Sequence, residues 1–243
     1  MARHAVRPRS EATWGVPTSL EGHTEGFRRW TAVDESAGAV HTGFGIAEFD
    51  PGGRLDWHVH SYEESLYVIE GEITLFTSET AVLLRTGDYG LLPVGQAHAL
   101  ANNVSDIARV AALSAPQPRP AHGGDTYFVA GLPELGPVTV DARDPRTRAF
   151  GHIEPGHMDP AKQSQELLAA SASMRTALLV YSGITVKMMI DSDLGAQLST
   201  MFMVQYEPDG ATGPHDHPFE ETYFFLEGEA EATFDGKPVV LGA

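Results

Sequence analysis

The stretch GGRLDWHVHSYEESLYVIEG, residues 52–71, predicts the fold and chemistry of this chain more strongly than any other. Two histidines, His58 and His60, flank one residue, and Glu64 follows four residues after the second. Because side chains alternate between the faces of a strand, the two imidazoles point to the same side. Glu64, on the next strand, can approach from the side, which gives a nitrogen, nitrogen, oxygen set suited to a divalent transition metal.

The same spacing recurs 157 residues later, within EPDGATGPHDHPFEETYFFLEG, residues 207–228. The equivalent residues there are His215, His217 and Glu221. Residues 48–86 align with residues 205–243 without a gap, so one supersecondary unit is used twice. A single histidine is more often a surface or core residue than a ligand, but the repeated spacing favours metal binding for this set.

A second motif follows the first, in GDYGLLPVGQAHALAN, residues 87–102. Pro93 presets one backbone angle of a turn and Gly95 permits a positive one, so the chain can reverse sharply there. This places His98 at the start of the next strand. His98 is therefore the candidate for a fourth ligand in the first half.

Residues 52–71 and 87–102 together resemble the two signature motifs of the cupin superfamily, and residues 207–228 resemble the first motif again. The resemblance implies a divalent metal site inside a small antiparallel barrel, with the ligands His58, His60, Glu64 and His98. It also implies a bicupin, a chain with two such barrels, and a homodimer formed by pairing of edge strands.

The second half is expected to hold an incomplete site. Continuing the repeat places the counterpart of Gly87 directly after Ala243, so the second half has no counterpart of His98. Its site would have three protein ligands, His215, His217 and Glu221. We expect the chain to be a fragment or truncated form, because a barrel without its closing strands leaves a sheet edge exposed and a core open.

The predicted fold class is all-β: two tandem antiparallel double-stranded β-helix barrels of the jelly-roll or cupin type, with one short helix between them and the second barrel incomplete. Many short strand-like runs separated by Gly, Pro, Asn and Asp favour this architecture. We assign residues 1–123 to an N-terminal arm and the first barrel, and residues 124–243 to a linker, the helix and the second barrel. Asp159 and Pro160 favour a helix beginning near residue 160.

Composition excludes several classes of protein. The chain has no cysteine, which excludes disulfides, thiolate catalysis and sulfur-ligated zinc. A formal net charge of -17 argues against binding to nucleic acid or anionic membranes. No apolar run approaches the roughly 20 residues of a membrane span, and the N-terminus resembles no secretion signal. The expected location is therefore the cytoplasm. Four of the arginines among the first 30 residues, Arg7, Arg9, Arg28 and Arg29, are expected to be solvated.

Strand alternation also predicts the surroundings of the two sites. In the first half it places the apolar side chains of Leu66, Val68 and Leu100 in the cavity. In the second half it places Tyr223 and Phe225 beside Glu221, with either Met201 and Met203 or Phe202 and Val204 facing inward. Tyr223 is a candidate proton donor, although small barrels commonly fill their interiors with such side chains.

The metal and the reaction stay open at this point. A site of three histidines and one carboxylate suits Fe, Mn, Ni, Co, Cu or Zn and leaves two of six octahedral positions free. By the resemblance, the favoured function is dioxygenase-type oxidation of a small aromatic or enolic molecule. The alternatives are a non-oxidative isomerase, cyclase, lyase or hydrolase in which the metal polarises oxygen atoms, and a non-catalytic cupin that binds a small molecule.

Overall fold

The computed structural model of the chain describes residues 4–133, 135–159 and 179–243, which are almost entirely β-structure. The strands are β1 (Thr24–Val33), β2 (Gly43–His60), β3 (Glu63–Glu70), β4 (Glu72–Thr77), β5 (Ala81–Arg85), β6 (Asp88–Leu92), β7 (His98–Ala101), β8 (Ala108–Ala115), β9 (Thr126–Phe128), β10 (Pro137–Thr139), β11 (Phe150–His152), β12 (Leu179–Tyr181), β13 (Ile184–Ile190), β14 (Met201–Tyr206), β15 (Glu229–Phe234) and β16 (Lys237–Gly242). The all-β prediction is confirmed for these residues.

Helical structure among the described residues consists of short 3-10 turns. These are Arg9–Glu11, Thr18–Leu20, Glu35–Ala37, Pro120–Asp125, Pro145–Thr147 and Pro155–Met158. The helix predicted to begin near residue 160 lies outside the described residues. No helix in the described part of the chain is long and apolar enough to span a membrane.

Strands β1 to β11 form one curled sheet in the first half. Its centre is β2, an 18-residue strand that pairs with β1 along most of its length, with β8 through its first part and with β7 and β9 through its last part. Apolar side chains from each of β1 to β8 meet in one cluster, which includes Phe27, Phe49, Leu66, Val68 and Leu100. We call the side of the sheet that faces this cluster the interior face.

The second half is organised differently. Its described strands form a three-stranded sheet, β12 to β14, and a separate hairpin of β15 and β16. The two-barrel arrangement is therefore seen only in part. In the first half, the end of β2 and the whole of β3 pair with β6, β7, β8 and β9. No described strand takes those places in the second half, and residues 211–228 contain no strand.

The internal repeat extends further than the sequence alignment indicates. The pairing of β13 with β14 reproduces that of β1 with β2, and the pairing of β15 with β16 reproduces that of β4 with β5, each with an offset of 157 residues. Equivalent partners are Phe27↔Phe49 and Ile184↔Tyr206, and likewise Glu72↔Arg85 and Glu229↔Gly242. Even the register shift before Val33 recurs before Ile190. The second half therefore repeats the β1 part of the fold as well as the metal-binding motif.

A pair of glycines supports this repeated geometry. Gly26 and Gly183 have positive φ angles of 54° and 74°, which glycine adopts without strain. Each lies against a second glycine, Gly53 or Gly210, so closely that a Cβ on the second would collide with the carbonyl oxygen of the first. The two strands can approach at this point because neither position carries a side chain.

The two halves contact each other through a reciprocal pair of glutamates. Glu63 accepts hydrogen bonds from the backbone N–H of Gln197 at 2.8 Å and from the hydroxyl of Ser199 at 2.5 Å. Its counterpart Glu220 accepts hydrogen bonds from the backbone N–H groups of residues 40–42. Residues 40–42 and 197–199 are themselves equivalent in the repeat. We call these two interactions the glutamate clamp.

Apolar contacts between the halves accompany the clamp. Phe44 packs against Phe224, with ring centroids 6.0 Å apart. In the repeat, Phe44 is equivalent to Met201 and Phe224 to Tyr67. Met201 and Tyr67 both pack against one apolar cluster. The apolar part of the interface therefore uses equivalent positions of both halves.

Replacing Glu63 by Ala should lower the free energy of unfolding by about 1.5–3 kcal/mol, the usual contribution of hydrogen bonds to a charged group. Glu63 is 3% exposed, so the N–H groups of the 197–199 loop would lose their partner in a buried place. Urea unfolding measures the change. The matched control is Glu79→Ala, at an exposed position, where we expect a change within about 0.5 kcal/mol. Equal losses in the two variants would contradict a role for the clamp in stability.

Candidate metal centre

Three histidines meet at one buried point in the interior of the first half. His58 and His60 lie at the end of β2, and His98 is the first residue of β7. Strand pairing places His58 directly opposite His98, and their ring centroids are 4.0 Å apart. One ring nitrogen from each histidine lies within 4.8 Å of those of the other two. The structure therefore brings these three residues together, and their role as metal ligands stays a prediction.

Backbone carbonyl groups orient each imidazole. The Nδ1 atoms of His58, His60 and His98 lie 2.8, 2.6 and 2.9 Å from the carbonyl oxygens of Asp56, Tyr62 and Gln96. Because a carbonyl oxygen only accepts hydrogen bonds, Nδ1 must carry the proton in each ring. The lone pair of each neutral ring is therefore on Nε2, the arrangement found in metal-binding histidines whose outer nitrogen is hydrogen-bonded.

The carboxylate of Glu64 completes the group. Its Oε2 atom lies 3.3 Å from Nε2 of His60 and 3.8 Å from Nε2 of His98. Burial by itself raises the pKa of Glu64, but the contact with the imidazole of His60 and the nearby imidazole of His98 lower that pKa to about 2. Glu64 is thus an ionised oxygen donor at neutral pH.

His98 carries an unsatisfied atom. Its Nε2 is fully buried and has no hydrogen-bond partner among the described residues. A buried polar atom without a partner is uncommon and costs free energy. A divalent transition metal would satisfy this lone pair together with those of His58 and His60 and the Glu64 oxygen, so the donor set fits such an ion.

The surroundings of the site are mostly apolar, as predicted, because Leu66, Val68 and Leu100 belong to the central cluster. Sequence reasoning missed Tyr62, whose ring stacks on His60 at a centroid distance of 3.9 Å. Burial, followed by the charge of Glu64, raises the pKa of Tyr62 to about 12, so its hydroxyl stays protonated. The signal was its position on the tight turn between the two ligand-bearing strands.

The second predicted group also converges, but at the surface. Oε2 of Glu221 lies 3.2 Å from Nε2 of His217 and 3.8 Å from Nε2 of His215. Nδ1 of His215 lies 2.9 Å from the carbonyl oxygen of Gly213. Nδ1 of His58 makes the equivalent contact with the carbonyl oxygen of Asp56, the counterpart of Gly213. The two histidine side chains are each 47% exposed, however, and these three residues form the whole group among the described residues.

The other side chains predicted around the second site are now placed. Met201 and Met203 pack against an apolar cluster that includes Tyr89 and Leu91 of the first half, so this pair faces the partner half rather than a second cavity. Strand alternation then leaves Phe202 and Val204 for the opposite face. Tyr223 is 46% exposed and lies outside any strand, and its role as a proton donor stays a prediction.

Acid should destabilise the metal-free protein through these histidines. Burial lowers the pKa of His58 and, with the charge of His58, lowers that of His98 to about 3. Below a pH of about 6.5 the unfolded chain therefore binds protons that the folded chain does not. Each such histidine should reduce the free energy of unfolding by about 1.4 kcal/mol per pH unit as the pH falls.

Urea unfolding between pH 7 and pH 4, with a chelator present, measures this slope. The variant His98→Gln removes one of the groups and should show a shallower slope than the unchanged protein. An unchanged slope would show that His98 titrates in the folded state as it does in the unfolded state.

Comparison with known proteins agrees with this geometry. The cupin domain family matches residues 45–114 and again residues 202–243, the two stretches that carry the histidine pairs. No curated protein matches the chain in sequence.

Solved structures that are similar to part of this chain include the polyketide cyclase RemF from Streptomyces resistomycificus, at 17% identity and a TM-score of 0.46, covering 53% of this chain and 87% of that one. A predicted oxalate decarboxylase from Thermotoga maritima is 20% identical with a TM-score of 0.41, covering 46% of this chain and 99% of that one. An RmlC-like cupin from Shewanella frigidimarina is 16% identical with a TM-score of 0.39, covering 46% and 91%. The activities named for these proteins are theirs alone. The family match is confined to the two repeated stretches, residues 45–114 and 202–243.

Proposed function

We propose that the chain is a metal-dependent bicupin enzyme that oxidises a small aromatic or enolic molecule with dioxygen. The residues that carry the reaction are the metal ligands His58, His60, Glu64 and His98. The proposal depends on one observation: three buried imidazoles, each with Nδ1 fixed by a backbone carbonyl group, direct their free nitrogens to a common point.

His58, His60, Glu64 and His98 would hold a divalent transition metal, which would supply activation of dioxygen or polarisation of a substrate oxygen. The chain's own residues prepare the place. Glu64 supplies a negative charge that partly balances the cation, and burial lowers the pKa of His58 and of His98, which favours their neutral forms. Leu66 and Leu100 line the interior with apolar surface, which excludes water and favours contact with a ring.

We assign the chemistry to the first half. There the histidines are 3% exposed or less, and a fourth donor is present. In the second half His215, His217 and Glu221 are exposed, so water competes for the ion. We infer that the second group binds metal weakly and serves no catalytic step.

The variant His98→Ala should lose the metal of the first half. Removing an outer-shell partner typically weakens binding roughly 10- to 100-fold, and removing a direct ligand should cost more. Elemental analysis and metal titration of the purified chain measure the loss. The control is His122→Ala, an exposed histidine outside both groups. Unchanged metal content in His98→Ala would refute the ligand assignment.

Oxygen uptake tests the reaction type. The Fe(II)-loaded chain should consume dioxygen in the presence of at least one member of a panel of enolic and hydroxylated aromatic compounds, and His98→Ala should not. An oxygen electrode measures consumption, and mass spectrometry with labelled dioxygen detects incorporation into product. Full turnover without oxygen, with Mn or Zn in place of iron, would show instead a non-oxidative isomerase, cyclase, lyase or hydrolase.

A further inference from the structure

Arg29 lies on the interior face of the curled sheet, where sequence reasoning expected a solvated arginine. It shares the face of β1 that carries Phe27, and Phe27 packs against Phe49 in the central cluster. Arg29 pairs with Ala47, another member of that cluster. Two successive arginines on a strand point to opposite faces, so Arg29 lies on the interior face and Arg28 on the other.

The guanidinium of Arg29 extends along the interior over Gly45. A Cβ on Gly45 would lie 2.7 Å from Nε and 3.2 Å from Nη2 of Arg29, so the absence of a side chain there makes room for the guanidinium. One row further along the ladder, Gly43 and Glu64 both pair with Ser114. The side chain of Arg29 therefore runs towards the row of the metal ligand Glu64.

The side chains of Arg29 and Glu64 do not bond to each other. Among the described residues, no side-chain nitrogen of Arg29 lies within 4.0 Å of a carboxylate oxygen of Glu64, so the two residues form no ion pair. The guanidinium thus runs towards the row of Glu64 without being bound to it.

The guanidinium of Arg29 has hydrogen-bond donors that no described residue pairs with. Its neighbour Arg28 forms ion pairs with Glu48 and Asp50 on the other face of β1. Arg29 itself makes no ion pair and no side-chain hydrogen bond with any residue that the structure describes, although it is half-buried. A guanidinium presents five N–H donors in a planar fork that fits a carboxylate. An unpaired, half-buried guanidinium is suited to an anionic ligand.

The repeat offers an internal comparison. The position equivalent to Arg29 is Val186, and the position equivalent to Gly45 is Phe202. Val186 pairs with Val204 in the same register as Arg29 with Ala47. The second half therefore has the apolar Val186 where the first half has the cationic Arg29. It has the ring of Phe202 where the first half has Gly45, which carries no side chain.

We propose that Arg29 binds a carboxylate of the substrate, so that the first half acts on small carboxylate-bearing molecules. This deepens the proposed function and rests on it only in taking the first-half interior as the substrate site. Arg29 holds the carboxylate in its fork, and the glycine at position 45 leaves room for the guanidinium that does so.

Matched pairs of a carboxylate and its neutral amide test this assignment. The probes are benzoate with benzamide and acetate with acetamide, titrated by calorimetry into the metal-loaded chain and into the chelator-treated chain. In both forms the variant Arg29→Gln should reduce the preference for the carboxylate by about 10-fold, which corresponds to about 1.4 kcal/mol. The control Arg28→Gln should keep the preference, and circular dichroism checks that both variants fold.

Two results would overturn the assignment: no preference for either carboxylate in the unchanged chain, or the same preference after Arg29→Gln. Failure of the proposed function looks different. A chain that binds no metal refutes the metalloenzyme, whereas an Arg29-dependent preference in the chelator-treated chain still supports carboxylate binding. A metal-loaded chain that does not discriminate carboxylate from amide refutes only the role of Arg29.

Discussion

The hydrogen-bond ladders along β2 are the constraint on which the candidate site depends. This strand of 18 residues crosses the whole first half, and four other strands pair with it. Its first part supplies interior side chains such as Phe49, and its last two alternate positions supply His58 and His60. The positions of the histidines are thereby tied to the packing of the core, so a metal can be bound with little rearrangement.

Strand β3 shows how one element serves two purposes. Glu63 and Glu64 are adjacent, and strand alternation sends their carboxylates to opposite faces. Glu63 binds the loop of the other half, and Glu64 lies beside two histidines of the site. A slip of one residue in the register of β3 would exchange the two carboxylates. The interface and the metal centre therefore specify the same register.

Much of the site was predictable because it depends on short-range patterns. The spacing of His58, His60 and Glu64 and the turn before His98 place donors by strand period and turn chemistry alone. The carbonyl groups that orient the imidazoles were not predictable, since backbone partners leave no mark in the residue types. Arg29 was missed because a pair of arginines reads as surface unless the strand and its buried Phe27 are already known.

The extent of the repeat was underestimated for a related reason. Recognisable sequence similarity begins near residue 48, whereas the shared register of β1 and β13 is a property of the backbone and tolerates different side chains. The absence of strands in residues 211–228 is the converse case. Those residues resemble β2 and β3 in type, but a strand also needs neighbours to accept its hydrogen bonds.

The glutamate clamp has a consequence for the ancestry of this chain. Glu63 and Glu220 are equivalent, and so are the loops that they bind. A polypeptide with a single copy of this unit would thus contain both the glutamate and the loop that such a glutamate binds. Before any gene fusion, two such polypeptides could associate, with the glutamate of each bound to the loop of the other. The contact that now lies inside one chain is therefore of the kind that two identical subunits form in a homodimer.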